Sequence, residues 1–216
     1  MLPAMRFPIL GSLVLALAVT GCSTILYSSL EQFGIEKRDI LVDRVESARD
    51  AQEDSKETFS SALEAFTDLT GYDGGDLERT YDRLSSAYDR SVSSAQRVSD
   101  RVDAVEDVGD ALFREWKSEL NDYSNADLRR RSEDQLAMTR RSYGELMAKM
   151  RRAEASMRPV LDVFEDQVLF LKHNLNARAV AGLEGEVRSV RRQVDGLIRE
   201  MEASIAEANA FISTLR

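Results

Sequence analysis

The chain has 216 residues and carries 38 Asp and Glu against 29 Lys and Arg, which gives a formal net charge of −9. This acidic balance argues against nucleic acid as a partner, because contacts between basic side chains and phosphates supply most of that affinity. Cys22 is the single cysteine, so no disulfide can form within the chain. With only three prolines and abundant Ala, Glu, Asp, Arg and Leu, the composition favours long helices.

The N-terminal segment has the features of a lipoprotein signal. Arg6 precedes an apolar run over residues 7–18, and Val19-Thr20-Gly21-Cys22 follows it. The run is too short to span a membrane, and small residues lead up to the cysteine. The last four residues resemble the lipobox of bacterial lipoproteins, which implies cleavage after residue 21 and acylation of Cys22. The competing interpretation is an uncleaved or buried helix with an incidental cysteine.

Acylation of Cys22 would determine where the mature chain resides. Each buried methylene contributes roughly 0.8 kcal/mol, and two or more acyl chains hold a protein stably on a membrane. In the Gram-negative sorting rule that this segment resembles, aspartate after the cysteine retains a lipoprotein in the inner membrane, and here that residue is Ser23. We therefore expect a periplasm-facing outer-membrane lipoprotein: residues 1–21 are removed, residues 22–34 form the lipidated cysteine and a tether or short surface helix, and residues 35–216 form one domain.

Four amphipathic segments follow, each with apolar residues at alternating spacings of four and three. The first covers residues 35–69 and is interrupted at Gln52 and Ser55. The second covers residues 76–123, with Tyr123 as the last member of its row. The glycines of residues 71–75 predict a turn between them rather than a phosphate loop, and Asp76 is a candidate N-cap. The apolar rows are Leu41, Val45, Ala48, Phe59, Ala62, Phe66 and Leu69 in the first segment, and Leu77, Tyr81, Leu84, Tyr88, Ala95, Val98, Val102, Val105, Leu112, Trp116 and Tyr123 in the second.

The third segment begins after a cap at Ser124 or Asn125 and reaches about residue 176. Pro159 lies inside it, and we expect a kink with continuation because the apolar row persists on both sides. The fourth segment is predicted as one helix from about Ala177 to the C-terminus. Because connections between the four segments are short, neighbours run antiparallel, and we predict an all-α, elongated antiparallel bundle or coiled coil of about four long helices. The shorter first helix leaves the hairpin around Ser124 projecting past it.

The first half of the third segment is basic. Its basic residues are Arg129, Arg130, Arg131, Arg140, Arg141, Lys149, Arg151, Arg152 and Arg158, and the first five are the candidate binding residues. One interpretation is a site for an anionic lipid headgroup, a glycan or a partner helix. The favoured one is charge complementarity with the acidic second segment. His173 has no partners at metal-ligand spacing, and no catalytic pattern accompanies it, so we expect no metal, no cofactor and no enzyme activity.

Three stretches resemble an uncharacterised bacterial family catalogued as domain of unknown function 2959. They are residues 37–45 (KRDILVDRV), residues 123–126 (YSNA) with Leu128 and its arginines, and residues 166–177 (DQVLFLKHNLNA). The resemblance covers nearly all of the mature chain and implies no activity. The anchor and the long helices favour a non-enzymatic scaffold, spacer or adaptor that meets the membrane through Cys22 and either binds an envelope protein or self-associates. The alternative is a binding module that uses the basic start of the third segment and the apolar residues 166–176.

Overall fold

The computed structural model describes residues 36–74 and 76–216, and within them all regular structure is helical. The five helices are α1 (Lys37–Thr70), α2 (Leu77–Glu119), α3 (Ala126–His173), α4 (Ala177–Ala181) and α5 (Val187–Leu215). Helices α1 and α3 each pack against both α2 and α5, so the four long helices form an antiparallel bundle. This confirms the predicted fold class. The predicted signal peptide, Cys22 and the segment of residues 23–34 lie outside the described residues.

The predicted apolar row of α1 forms one side of the core. All seven of its apolar members are buried, and so are Gln52 and Ser55, which interrupt it. The row therefore runs unbroken through the bundle, with two polar residues inside it. At its end, Gly71 donates its N–H to the Thr67 carbonyl at 2.9 Å, and the turn then contains Gly74 at a φ of 133°. Only glycine adopts that φ readily, which explains the glycine at position 74.

In α2 the buried face is wider than the predicted row. Between Leu84 and Val98 the fully buried positions include Ala87 and Ser94, whereas Tyr88 and Ala95 of the predicted row are only half-buried. A helix in a four-helix bundle contacts two neighbours at once, so its apolar stripe covers more of its circumference than a two-stranded seam does. The predicted row was therefore one edge of the true contact face.

The hairpin between α2 and α3 corrects one boundary. Helix α2 was expected to reach Tyr123, but it ends at Glu119, and Tyr123 lies in the following turn with 41% of its surface exposed. The turn closes by backbone bonds from Asn121 to Ser118 at 3.1 Å and from Asp122 to Glu119 at 3.0 Å. Tyr123 is therefore not a core residue.

Both predicted N-caps are present. The Asp76 carboxylate accepts the Arg79 N–H at 3.0 Å. The Asn125 side chain accepts the N–H groups of Asp127 at 2.9 Å and Leu128 at 3.1 Å, so Asn125 rather than Ser124 is the cap of α3. Such caps satisfy backbone donors that have no partner inside the helix, and they place the start of each helix at a definite residue.

The last predicted helix is wrong as a single element. It divides into α4 and α5, with Gly182 and Gly185 in the intervening turns. The Gly182 N–H bonds to the Arg178 carbonyl at 3.2 Å, and Leu183 turns inward and is buried. Two glycines within four residues weaken a helix by about 1 kcal/mol each, which favours a break here. Pro159, in contrast, lies on the exposed side of α3, and the helix continues through it as predicted.

The four long helices do not end at the same level. Lys37 lies 2.7 Å from Glu115, so α1 begins opposite Glu115 of α2. Beyond that level α2 continues for four residues, to Glu119, which is about 6 Å at 1.5 Å per residue, and the turn into α3 follows. The hairpin therefore projects as predicted, but by less than the segment lengths implied, because α2 ends at Glu119 and not at Tyr123.

Candidate functional site

The candidate lipidation residue, Cys22, precedes the described part of the chain by 14 residues. The described residue nearest to it in the sequence is Glu36, next to the start of α1, and α1 begins at the end of the bundle at which the α2–α3 hairpin projects. Among the described residues, every helix is too short or too polar to cross a membrane.

The basic start of α3 begins on the projecting hairpin and continues into the four-helix part of the bundle. Its five candidate residues are Arg129, Arg130, Arg131, Arg140 and Arg141, and all five are exposed. Two of them are paired along their own helix, Arg129 with Glu133 at 3.0 Å and Arg130 with Asp127. The other three form no ion pair with any residue in the described ranges. The first three arginines lie on the hairpin, whereas the last two lie beside the end of α5, where Tyr143 packs on Phe211.

The predicted pairing of α3 with acidic α2 is made by Arg151, one of the basic residues named for the third segment. Arg151 lies 2.7 Å from Asp103 and also pairs with Glu106, both on α2, while Glu154 of its own helix is at 2.9 Å. Burial lowers the pKa of Arg151, but hydrogen bonds to these three carboxylates raise it more. Complementarity between α2 and α3 is therefore correct for Arg151 and wrong for the five arginines at the start of α3.

A groove opens at the base of the hairpin, where α1 begins and α5 ends. Its volume is about 560 Å³. Its apolar lining includes Leu112, Trp116 and Leu215, and its charged rim includes Lys37, Glu115 and Glu119. Burial, together with repulsion from Glu115, Asp122 and Glu36, raises the pKa of Glu119. Trp116 is half-buried here, and its indole N–H donates to the Ser132 hydroxyl at 2.8 Å.

The opposite end of the bundle carries an exposed apolar pair. Leu169 and Phe170, near the end of α3, are 56% and 44% exposed, while the neighbouring Leu171 is fully buried. His173 is the last residue of α3 and is exposed, as expected for a histidine near the end of a helix. Throughout residues 36–74 and 76–216, no three potential metal ligands come together.

The family is decided by a match over nearly the whole chain. Residues 26–215 match the family described as "Protein of unknown function (DUF2959)". The chain belongs to the DUF2959 family. A search of the curated proteins and a search of the solved structures each gave no match. The DUF2959 match begins ten residues before the described part of the chain, so the family domain includes residues 26–35 as well as the bundle.

One surface feature of this DUF2959 protein, the groove, was not identified as a site from the sequence, whereas the apolar residues 166–176 were named as part of a possible binding surface. The groove is formed by the ends of four helices that are distant along the chain, and only the length difference between the first helix and its neighbours signalled it. Leu169 and Phe170 belong to the stretch noted as strongly apolar, and they lie off its row, on which Val168 and Leu171 fall. Their position outside the apolar row was the feature of the sequence that could have indicated that both side chains are exposed.

Proposed function

We propose that this protein is a lipid-anchored, non-enzymatic adaptor of the bacterial envelope, held to the outer membrane by acylated Cys22 and facing the periplasm. The observation that carries the proposal is the position of the exposed Leu169–Phe170 pair, at the end of the bundle opposite to the end that Cys22 precedes. An anchor at one end and an apolar contact surface at the other are the two parts that an adaptor requires.

The bundle sets the distance between these two parts. Helix α1 has 34 residues, so the bundle holds the Leu169–Phe170 surface about 50 Å from the start of α1. Four helices packed around one continuous core resist bending, which keeps that distance constant. Exposed aromatic and aliphatic side chains supply much of the affinity of protein interfaces when a partner covers them. A partner in the periplasm could therefore be held at a set height above the membrane.

Crosslinking in intact cells, followed by mass spectrometry, tests the adaptor. The native protein should capture a discrete envelope partner, which Leu169→Ser with Phe170→Ser should abolish. Cys22→Ala should abolish it as well, because the protein then leaves the membrane. Val92→Ser is the matched control, since Val92 is 40% exposed on α2, and it should retain the partner. Equal capture by the Leu169/Phe170 variant and by the native chain would contradict the proposal.

A second candidate function is the binding of an anionic lipid headgroup by the start of α3. The observation in its favour is that Arg131, Arg140 and Arg141 are exposed and make no ion pair within the described residues, in the half of α3 nearer to the level at which α1 begins. Surface arginines near an anionic membrane contribute about 1 kcal/mol each, and salt screens that attraction.

Vesicle cosedimentation distinguishes the two candidates. With anionic vesicles, a chain carrying Cys22→Ser should bind at low salt and dissociate as salt rises, and replacement of the three arginines by glutamine should abolish binding. Arg158→Gln is the control, because that arginine lies farther along α3 and pairs with Asp162 at 2.6 Å. Binding that is indifferent to salt and to the triple variant would exclude this function.

A further inference from the structure

We propose that the groove at the base of the α2–α3 hairpin is a docking site for the chain's own residues 26–33. The apolar side chains of Leu26, Leu30 and Phe33 would cover the groove and contact Trp116. The contact itself does not depend on acylation of Cys22, whereas its consequence for orientation rests on the proposed function.

The groove exists because neither α1 nor α5 extends along the projecting part of the hairpin. Opposite Glu115 the wall formed by α1 stops, since α1 begins at Lys37, and the wall formed by α5 stops at Leu215, which also lines the groove. Helices α2 and α3 nevertheless continue with apolar residues on their facing sides. Trp116 stays half-buried there, and Leu128 is 51% exposed. An apolar face of this kind inside a bundle is normally covered by another helix.

Residues 26–33 have the pattern that would supply this cover. Leu26, Leu30 and Phe33 are spaced four and three residues apart. In a short helix this spacing would place the three apolar side chains on one face. Between residues 23 and 35 the sequence has a single formal charge, at Glu31, so burying one face of this segment removes few charges from water.

Length and connectivity also fit. Residues 26–35 join directly to Glu36, which itself lines the groove. Ten helical residues would span about 15 Å, which is more than the roughly 6 Å of α2 that lies beyond Glu115. A segment attached at the edge of its site has a millimolar or higher effective concentration there, so even a modest apolar contact keeps it docked. The DUF2959 match begins at residue 26, which includes the whole segment in the family domain.

Docking would determine how the bundle stands on the membrane. A free tether allows the bundle to take any orientation, whereas a docked segment brings Cys22 next to the hairpin. The lipid then holds the hairpin end against the membrane and directs the Leu169–Phe170 surface away from it.

Trp116 is the only tryptophan of the chain and lines the groove, so its fluorescence reports on the cover directly. The experiment compares the full-length chain with Leu30→Asp/Phe33→Asp. We expect the variant to show a red-shifted emission and an acrylamide quenching constant raised about twofold, because water and quencher reach an uncovered indole. The control is Ser29→Asp/Gln32→Asp, which adds the same charge to the segment at two positions outside the row of Leu26, Leu30 and Phe33. It should retain the native signal.

Three results would overturn the proposal. The first is equal emission and quenching in the native chain and in both aspartate variants. The second is a native signal that depends on protein concentration, which would show that a second copy covers Trp116. The third is a blue shift that appears only with vesicles, which would show that the bilayer covers it. Circular dichroism verifies that the helices persist, and Leu30→Ser/Phe33→Ser provides a milder variant. Cys22→Ser should retain the docked signal, so failure of the anchor and failure of docking are distinguishable.

Discussion

The contact between Gly109 and Tyr143 shows how one residue explains another across the bundle. Gly109 interrupts the apolar row of α2, and the sequence offers no reason for a glycine there. In the structure the Tyr143 ring occupies the space that a side chain at position 109 would need. Its hydroxyl donates to the Val105 carbonyl at 3.3 Å, and its ring packs edge-on against Phe113 at a centroid distance of 5.1 Å. Gly109 is thus a close-packing residue and not a weakness of the helix.

Gly109→Ala should therefore destabilise the protein. A Cβ at this position would lie 2.6 Å from Cε2 of Tyr143, and overpacking of this kind costs about 1–3 kcal/mol, which exceeds the gain of up to about 1 kcal/mol in helix propensity. We expect a net loss of about 1–2 kcal/mol in the free energy of unfolding, measured by urea denaturation. Gly144→Ala, where nothing lies within 4 Å of the new Cβ, should instead stabilise the protein by about 0.5–1 kcal/mol. Equal stability of the two variants would refute this packing role.

Tyr143 should also determine part of the stability at alkaline pH. Burial raises its pKa, and the carboxylates of Asp110 and Glu106 raise it further. Because the phenol ionises near pH 10 in the unfolded chain but later in the folded one, its contribution is complete below about pH 10 and is lost as pH rises above it. The loss is up to about 1.4 kcal/mol per pH unit. Tyr143→Phe should flatten the fall in unfolding free energy above pH 10, whereas Tyr123→Phe at an exposed ring should not. An unchanged slope in Tyr143→Phe would argue against this assignment.

At the scale of the element, the long helices carry polar residues inside the core. Gln52 of α1 is fully buried, and neither its amide nitrogen nor its oxygen has a hydrogen-bond partner among the described residues. The hydroxyls of Ser94 on α2 and Ser204 on α5 are also buried and have no hydrogen-bond partner among the described residues. Ser55 has only a weak contact, donating to the Met157 sulfur at 3.9 Å. Polar residues at such positions reduce stability, and in helical bundles they disfavour alternative registers.

Gln52→Leu should stabilise the bundle, because leucine fills a similar volume without an amide that must lose its hydration. An unpaired buried polar group costs about 1–3 kcal/mol, and we expect a gain of that order in unfolding free energy and a higher Tm. Gln96→Leu is the control: this exposed glutamine bonds Asp100 at 2.8 Å, and its loss should change stability by less than about 0.5 kcal/mol. A lower Tm for Gln52→Leu would mean that ordered water forms hydrogen bonds with the amide, and that the amide and its water together stabilise the core.

At the scale of the whole molecule, the four long helices bury one another's apolar faces. The largest side chains of the core, such as Phe59, Phe66, Phe164 and Phe211, come from α1, α3 and α5 and are fully buried within a single chain. The apolar rows, which in the sequence are equally compatible with pairing within one chain or between chains, are thus already covered without a second copy. Within residues 36–74 and 76–216, the large apolar side chains that stay exposed are Val92, Tyr123, Leu128, Met138, Leu169 and Phe170.

We therefore expect the chain without its lipid to be a monomer. Sedimentation equilibrium of the Cys22→Ser protein should give the mass of one chain across a wide concentration range. A stable interface normally buries at least about 1,000 Å², which a few scattered apolar side chains do not supply. A dimer that persists at low concentration would show that the exposed apolar residues pair with each other, and Leu169→Ser/Phe170→Ser would then be expected to dissociate it.

Much of the fold was predictable because its determinants are local. The 4-3 spacing of apolar residues, the caps Asp76 and Asn125 and the glycine turn after α1 each depend on a few neighbouring residues, and all of them are confirmed. The start of α3 was less predictable, because an arginine reaches a carboxylate one turn away as easily as one on the next helix. Which of the two each arginine takes, as Arg130 and Arg151 show, depends on the level at which the helices face each other.

The sequence by itself determined the class of this protein: four long amphipathic helices in antiparallel order, an N-terminal segment that resembles a lipoprotein signal, and membership in the DUF2959 family. Only the tertiary structure decided which edge of each apolar row faces the core, where α2 ends, that the last segment divides at Gly182 and Gly185, and that a groove opens beside Trp116. The physical reason is the distance along the chain over which each interaction acts. Helix periodicity and capping act within one or two turns, whereas the width of a buried face and the relative level of helix ends depend on neighbours that are distant along the chain.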